Sequence, residues 1–167
     1  MKIYADNAAT TKLDIEAFEA MKPYMLECYA NASQPYSFSR KAKRALKDAR
    51  EIIAECINAE PEEIIFTSGG TESDNWAVKC FSTFPTDVKL IVTSAIEHHA
   101  ILNACKQIEH QADISYLPVN HYGEVSSDDI RTLLDLSGKP VCSSMTKLVS
   151  VMLANNEIGT IEPVKEL

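Results

Sequence analysis

Apolar positions along this chain recur with two different periods, and the two alternate. Ile15, Phe18, Met21, Met25, Leu26 and Tyr29 share one helical face, with Pro23 expected to kink or interrupt the helix. Asn31 to Pro35 reads as loop. Ala42, Ala45, Leu46, Ala49, Ile52, Ile53, Cys56 and Ile57 then recur at three and four residues, opposite a face of Lys43, Lys47, Asp48 and Glu51. Asn58-Ala59-Glu60-Pro61 ends that helix. Three strand-to-helix units follow. Ile64 to Thr67 leads into a helix through Trp76 to Val78, and Leu90 to Thr93 into one carrying Ile101, Leu102, Cys105 and Ile108. Ile114 to Leu117 leads into a third over roughly Asp128 to Leu136. Leu148 to Leu153 has the apolar character of a buried strand. Ile3 and Tyr4 suggest a short extended piece, and Pro163 a helix start, so the chain is expected to stop one turn into a helix, as a truncated domain would. The alternation predicts an α/β fold with a mostly parallel sheet and flanking helices.

Composition narrows the partners. The 167 residues include 46% apolar residues, enough for a sizeable core, and the net charge is −8. An acidic balance argues against nucleic acid and anionic membrane surfaces. No apolar run approaches a membrane span, and Met1 to Asp6 has no signal-peptide core, so a cytoplasmic location is expected. Five cysteines (Cys28, Cys56, Cys80, Cys105 and Cys142) with no CxxC pair fit neither a disulfide framework nor a zinc site, and no metal is expected. They read as small hydrophobes in a reducing compartment.

Three polar loops follow β-rich runs, where open α/β sheets bind ligands. Ser68-Gly69-Gly70-Thr71-Glu72-Ser73-Asp74 can offer backbone N–H groups and a helix N-terminus to an anion. It is also readable as a plain helix with a capping box from Thr71 to Asp74. Neither GxxxxGK[ST] nor GxGxxG is present. In Glu97-His98-His99, an imidazole can stack on a planar ligand or move protons, or be a loop histidine satisfied by backbone. Asn155-Asn156 can bind a ligand or close the loop through Asx turns.

In order, these segments resemble one family. Tyr4 to Thr11 (YADNAATT), Glu62 to Asn75 (EEIIFTSGGTESDN), Thr93 to His98 (TSAIEH), Tyr116 to Val119 (YLPV) and Val149 to Gly159 (VSVMLANNEIG) are similar to the motifs of cysteine desulfurases. These are enzymes of the class V aminotransferase group, of the nitrogen-fixation and iron–sulfur-cluster types. The resemblance implies part of the large domain of a fold type I pyridoxal-phosphate (PLP) enzyme. It implies that Gly70 and Thr71 hold the cofactor phosphate. His98 would be the catalytic residue, stacking on the ring and assisting proton transfer, and Asn156 would contact the ring oxygen or the substrate carboxylate. The reaction implied turns L-cysteine into L-alanine and passes sulfur to an enzyme cysteine and on to an acceptor, in iron–sulfur cluster biogenesis.

The departures shape the expectation. The family runs about twice this length or more. The aspartate that pairs with the pyridine nitrogen, the Ser-x-His-Lys motif of the Schiff-base lysine and the loop cysteine are absent from residues 1–167, and Gln34-Pro35-Tyr36 departs from the usual SSxH. Lys147 and Lys165 lie in no such motif. The expected product is an inactive N-terminal portion that self-associates, as a homodimer or otherwise, through an unfinished sheet and apolar helix faces. The alternatives are a non-catalytic module pairing with a complementary chain or full-length homologue, and another class V enzyme such as an aminotransferase or selenocysteine lyase.

Overall fold

The computed structural model describes residues 2–86, 88–134 and 145–166. The chain divides into two compact units, Met1–Phe66 and Thr67–Leu167.

The first unit is helical. Helix α1 (Ile15–Leu26) starts at Asp14, whose carboxylate accepts the N–H groups of Glu16 and Ala17. Pro23 lies inside α1 and the helix ends three residues later, with the Pro23 carbonyl accepting the N–H groups of Glu27 and Cys28. Helix α2 (Arg40–Ile57) stops at Asn58, in the left-handed conformation at φ 56°, which Asn tolerates better than most residues. No residue of α1 is buried, and in α2 only Ala54 is. One expectation fails here. Ile64–Thr67, though extended at Ile64, joins no ladder, while Ile3–Tyr4 lies outside any helix or strand. A β-branched run becomes a strand only when a neighbour takes its backbone hydrogen bonds, and none of the described strands does so.

The second unit is a three-layer α/β/α arrangement. Helix α3 (Gly70–Ser82) precedes β1 (Val88–Ser94), followed by α4 (His99–Ile108), β2 (Asp113–Leu117), α5 (Ser127–Leu134) and β3 (Met145–Ser150). The sheet runs β2-β1-β3 and is parallel throughout. Successive residues of β1 serve opposite faces, as the pleat requires. Ile91 packs with Val78 and Phe81 of α3 and with Ile101, Ala104, Cys105 and Ile108 of α4. Val92 packs with Leu117, Val125 and Ile130 on the α5 side. The helix expected to reach Leu136 is described to Leu134, and Asp135, Leu136 and Cys142 lie outside the described residues. The last strand begins earlier than its apolar run and ends at Ser150. Pro163 opens a single turn, closed by the Glu166 N–H on the Pro163 carbonyl at 2.8 Å.

Strand order 2-1-3 has a consequence for function. From β1 the chain crosses to one side to form β2, then returns past β1 to form β3. β1 and β3 are thus neighbours in the sheet without being consecutive in the chain, and the loops after them border a crevice at their carboxyl ends, where open α/β sheets bind ligands.

Candidate functional site

That crevice is a recess of about 290 Å³ lined by the loop after β1 (Ala95 to His98), by His99 and Leu102 of α4, and by Met152 and Asn155 to Ile158 from beyond β3. Two hydrogen bonds tie the loops together. The Glu97 carboxylate accepts the Met152 N–H at 2.5 Å, and Asn155 Nδ2 donates to the Ile96 carbonyl at 3.0 Å. Glu97 is only 7% exposed. Burial raises its pKa above the ordinary carboxylate value, against the lowering effect of the Met152 and His98 N–H groups, and the negative charge of Asp74 adds to the rise.

The asparagine pair divides its labour. Asn155 is buried, and its Oδ1 accepts the N–H groups of Glu157 and Ile158 at 2.8 and 3.2 Å. With its amide nitrogen on Ile96, it holds the loop shut. Asn156 is exposed at the recess. The loop is further closed by the Ala154–Ile161 bridge and the Asn155 N–H on the Thr160 carbonyl. It is pinned to the Asn120–Glu124 turn by the Thr160 hydroxyl on the Tyr122 carbonyl. Gly123, at φ +81°, sits where a Cβ would collide with Ile158 Cδ1.

His98 is exposed and, like Asn156, lines the recess. It is also the N-cap of α4: its Nδ1 accepts the Ala100 N–H at 3.1 Å. The His99 ring lies 6.5 Å away, tilted by 54°.

Gly70 and Thr71 open α3 and are not among the residues lining the recess. Helix α3 packs against α4, and Asp74, one turn in, acts electrostatically on Glu97. The capping box expected from Thr71 to Asp74 does not form. Gly69 is the N-cap residue and supplies no side chain, so Thr71 stands inside the helix. Glu72 instead turns back to accept the Ser68 N–H and hydroxyl at 2.6 and 2.7 Å, which lowers its pKa. Ser73 bonds Thr67 at 2.7 Å. The Gly69 carbonyl takes the N–H groups of Glu72 and Ser73. Among the described residues, none accepts from the Gly70 or Thr71 N–H groups or from the Thr71 hydroxyl. A Cβ on Gly69 or Gly70 would meet nothing within 4 Å, so the approach is open. This donor set suits a phosphate: free N–H groups and a hydroxyl at a positive helix end.

Sequence reasoning missed Glu97 and the capping role of His98. The available signals were a carboxylate directly after a buried strand and a polar residue just before an apolar helical run.

The fold and this arrangement define a class, and the comparisons agree on it. The family model for aminotransferase class-V matches residues 3–167, and the chain belongs to that family. Within it, the chain is 47% identical over 167 residues to the cysteine desulfurase IscS of Methanosarcina thermophila, covering 99% of this chain and 39% of that protein. It is 46% identical to the cysteine desulfurase IscS of Dictyoglomus turgidum, covering 99% of this chain and 41% of that protein. A solved NifS-like protein superposes with a TM-score of 0.87 at 36% identity, covering 99% of this chain and 44% of that one. A structure described as SspA in complex with cysteine superposes at 0.84 with 33% identity, covering 98% and 45%. The chain thus spans well under half the length of these relatives.

Proposed function

We propose that this chain supplies part of the cofactor site of a PLP-dependent cysteine desulfurase acting on L-cysteine. The observation that carries the reading is that His98 and Asn156 line one recess at the carboxyl ends of β1 and β3, in a family with cysteine desulfurases among its members. Gly70 and Thr71 bind the cofactor phosphate through two N–H groups and a hydroxyl. His98 presents its flat face to the pyridine ring, and Asn156 hydrogen-bonds the ring oxygen or the substrate carboxylate. Glu97 and Asn155 orient both loops without touching either ligand. The cofactor, when bound, supplies the electron-withdrawing ring that makes cysteine's carbon–sulfur chemistry accessible.

The anchoring lysine and the sulfur-accepting cysteine are not provided by residues 1–167, in this reading, so the chain alone binds PLP without covalent attachment and is inactive. Its domain organisation is an N-terminal segment joined to the first part of the PLP-binding domain. Exposed apolar residues on α1 and α2, including Ile15, Met25, Leu26, Ile52 and Ile57, support association with a second copy. No described helix is long and apolar enough to cross a membrane. The free thiols of Cys56 and Cys80 on the surface fit a reducing, cytoplasmic setting, and the similarity to IscS cysteine desulfurases supports a place in iron–sulfur cluster biogenesis.

The test is to incubate the chain with PLP, reduce with borohydride, map lysines by mass spectrometry, and assay alanine formed from cysteine. Reversible binding with no unique lysine adduct and no alanine is expected. Thr71→Ala should weaken binding about tenfold or more, the loss of a hydrogen bond to a charged group of about 1.5–3 kcal/mol. A unique lysine adduct with alanine production overturns the inactivity. PLP binding indifferent to Thr71 overturns the phosphate assignment.

A further inference from the structure

His98 carries two roles that constrain each other. A backbone N–H can only donate, so the Ala100 N–H reaching Nδ1 at 3.1 Å requires a lone pair there. A neutral imidazole with a lone pair on Nδ1 carries its hydrogen on Nε2. We propose that His98 serves the recess as a hydrogen donor from Nε2, its tautomer fixed by the Ala100 N–H on Nδ1. This rests on the reading of the recess as the PLP and substrate site, and it specifies what His98 offers there.

For Nε2 to accept a proton from a ligand, the ring must either become doubly protonated or move its hydrogen to Nδ1. Both give up the Ala100 bond and leave the first turn of α4 without its side-chain cap. Alternative partners for the ring are few. The other titratable groups lining the recess are Glu97, His99 and Glu157. The Glu97 carboxylate is engaged with the Met152 N–H. The His99 ring stands 6.5 Å away by centroid, beyond direct hydrogen bonding between the two rings. Glu157 is exposed, and its own N–H is held by Asn155. A group that accepts a hydrogen bond, such as a carboxylate oxygen of the substrate, is therefore the complement to Nε2 in this recess.

The test needs no turnover. The chain is labelled with nitrogen-15 histidine and observed by long-range proton–nitrogen correlation, at a pH above the ordinary histidine range. His98→Gln identifies the His98 resonances among the four histidines. If that variant folds poorly, assignment through the His98 backbone in the unmodified chain replaces it. A lone-pair nitrogen shift at Nδ1 with a hydrogen-bearing shift at Nε2 is expected. The reverse pattern, or averaged shifts from rapidly exchanging tautomers, overturns the proposal. Adding PLP separates the two ideas: the tautomer pattern without any PLP response at Nε2 keeps the fixed donor and removes the PLP reading.

Discussion

Glu97 gives the sharpest test of how the recess is held together. It lies at the end of the loop after β1, and its carboxylate is the acceptor for the Met152 N–H beyond β3. Glu97→Ala removes that acceptor and leaves a part-buried backbone donor unsatisfied, at a cost of about 1–3 kcal/mol, or roughly 5- to 150-fold in a local opening equilibrium. Glu97→Gln keeps a carbonyl oxygen in place. Amide hydrogen exchange at Met152, under conditions where exchange reports the opening equilibrium, reads this directly. Exchange should accelerate by that factor in the alanine variant and only a few-fold in the glutamine variant. The pH dependence supplies the sign. Burial raises the folded-state pKa of Glu97, so its protonated form is the one the fold favours. Its contribution to stability is full below the ordinary carboxylate value and is lost as pH rises through the raised folded value. Wild type should therefore lose urea resistance relative to Glu97→Gln across that window and recover it on acidification. Unchanged Met152 exchange in Glu97→Ala would refute the reasoning, and so would a wild-type advantage that grows with pH.

Three further outcomes follow from the same geometry. Asn155→Asp keeps the acceptor for Glu157 and Ile158 but loses the donor to Ile96, and it should destabilise the loop by about 1–3 kcal/mol, measured as faster exchange at Gly159. Gly123→Ala should cost about 1–2 kcal/mol from the left-handed backbone alone, with Ile158 forced to move, read as a lowered urea midpoint. Alkylation followed by peptide mapping should label exposed Cys56 and Cys80 well before Cys105, which is fully buried and whose thiol is pushed up by burial and by Glu97; equal rates would contradict the packing around α4.

Much of this was legible from residue order. The β-branched run Leu90–Thr93 and the helical spacing of Ile101, Leu102, Cys105 and Ile108 name a strand and a helix, and both form. Local pattern could not show that Ile64–Thr67 lacks a partner strand, because pairing is a property of two segments. Nor could it show the 2-1-3 strand order that makes the crevice. Thr71 and Asp74 have the spacing of a capping box, yet the N-cap of α3 falls two residues earlier, at Gly69, and Glu72 engages Ser68 instead. Asn155 and Asn156 are chemically identical, and only burial separates the loop-closing amide from the exposed one. His98 went unread as a cap because histidine is not among the side chains that usually cap helices.

The central claim is that the open end of α3, the His98 ring and the Asn156 amide serve one ligand. Amide shift mapping of the labelled chain during a PLP titration addresses it most directly. The account predicts that Gly70, Thr71, His98 and Asn156 respond along a single saturation curve while Ala54 and His110 stay still. Separate curves, or a response confined to Gly70 and Thr71, would contradict it.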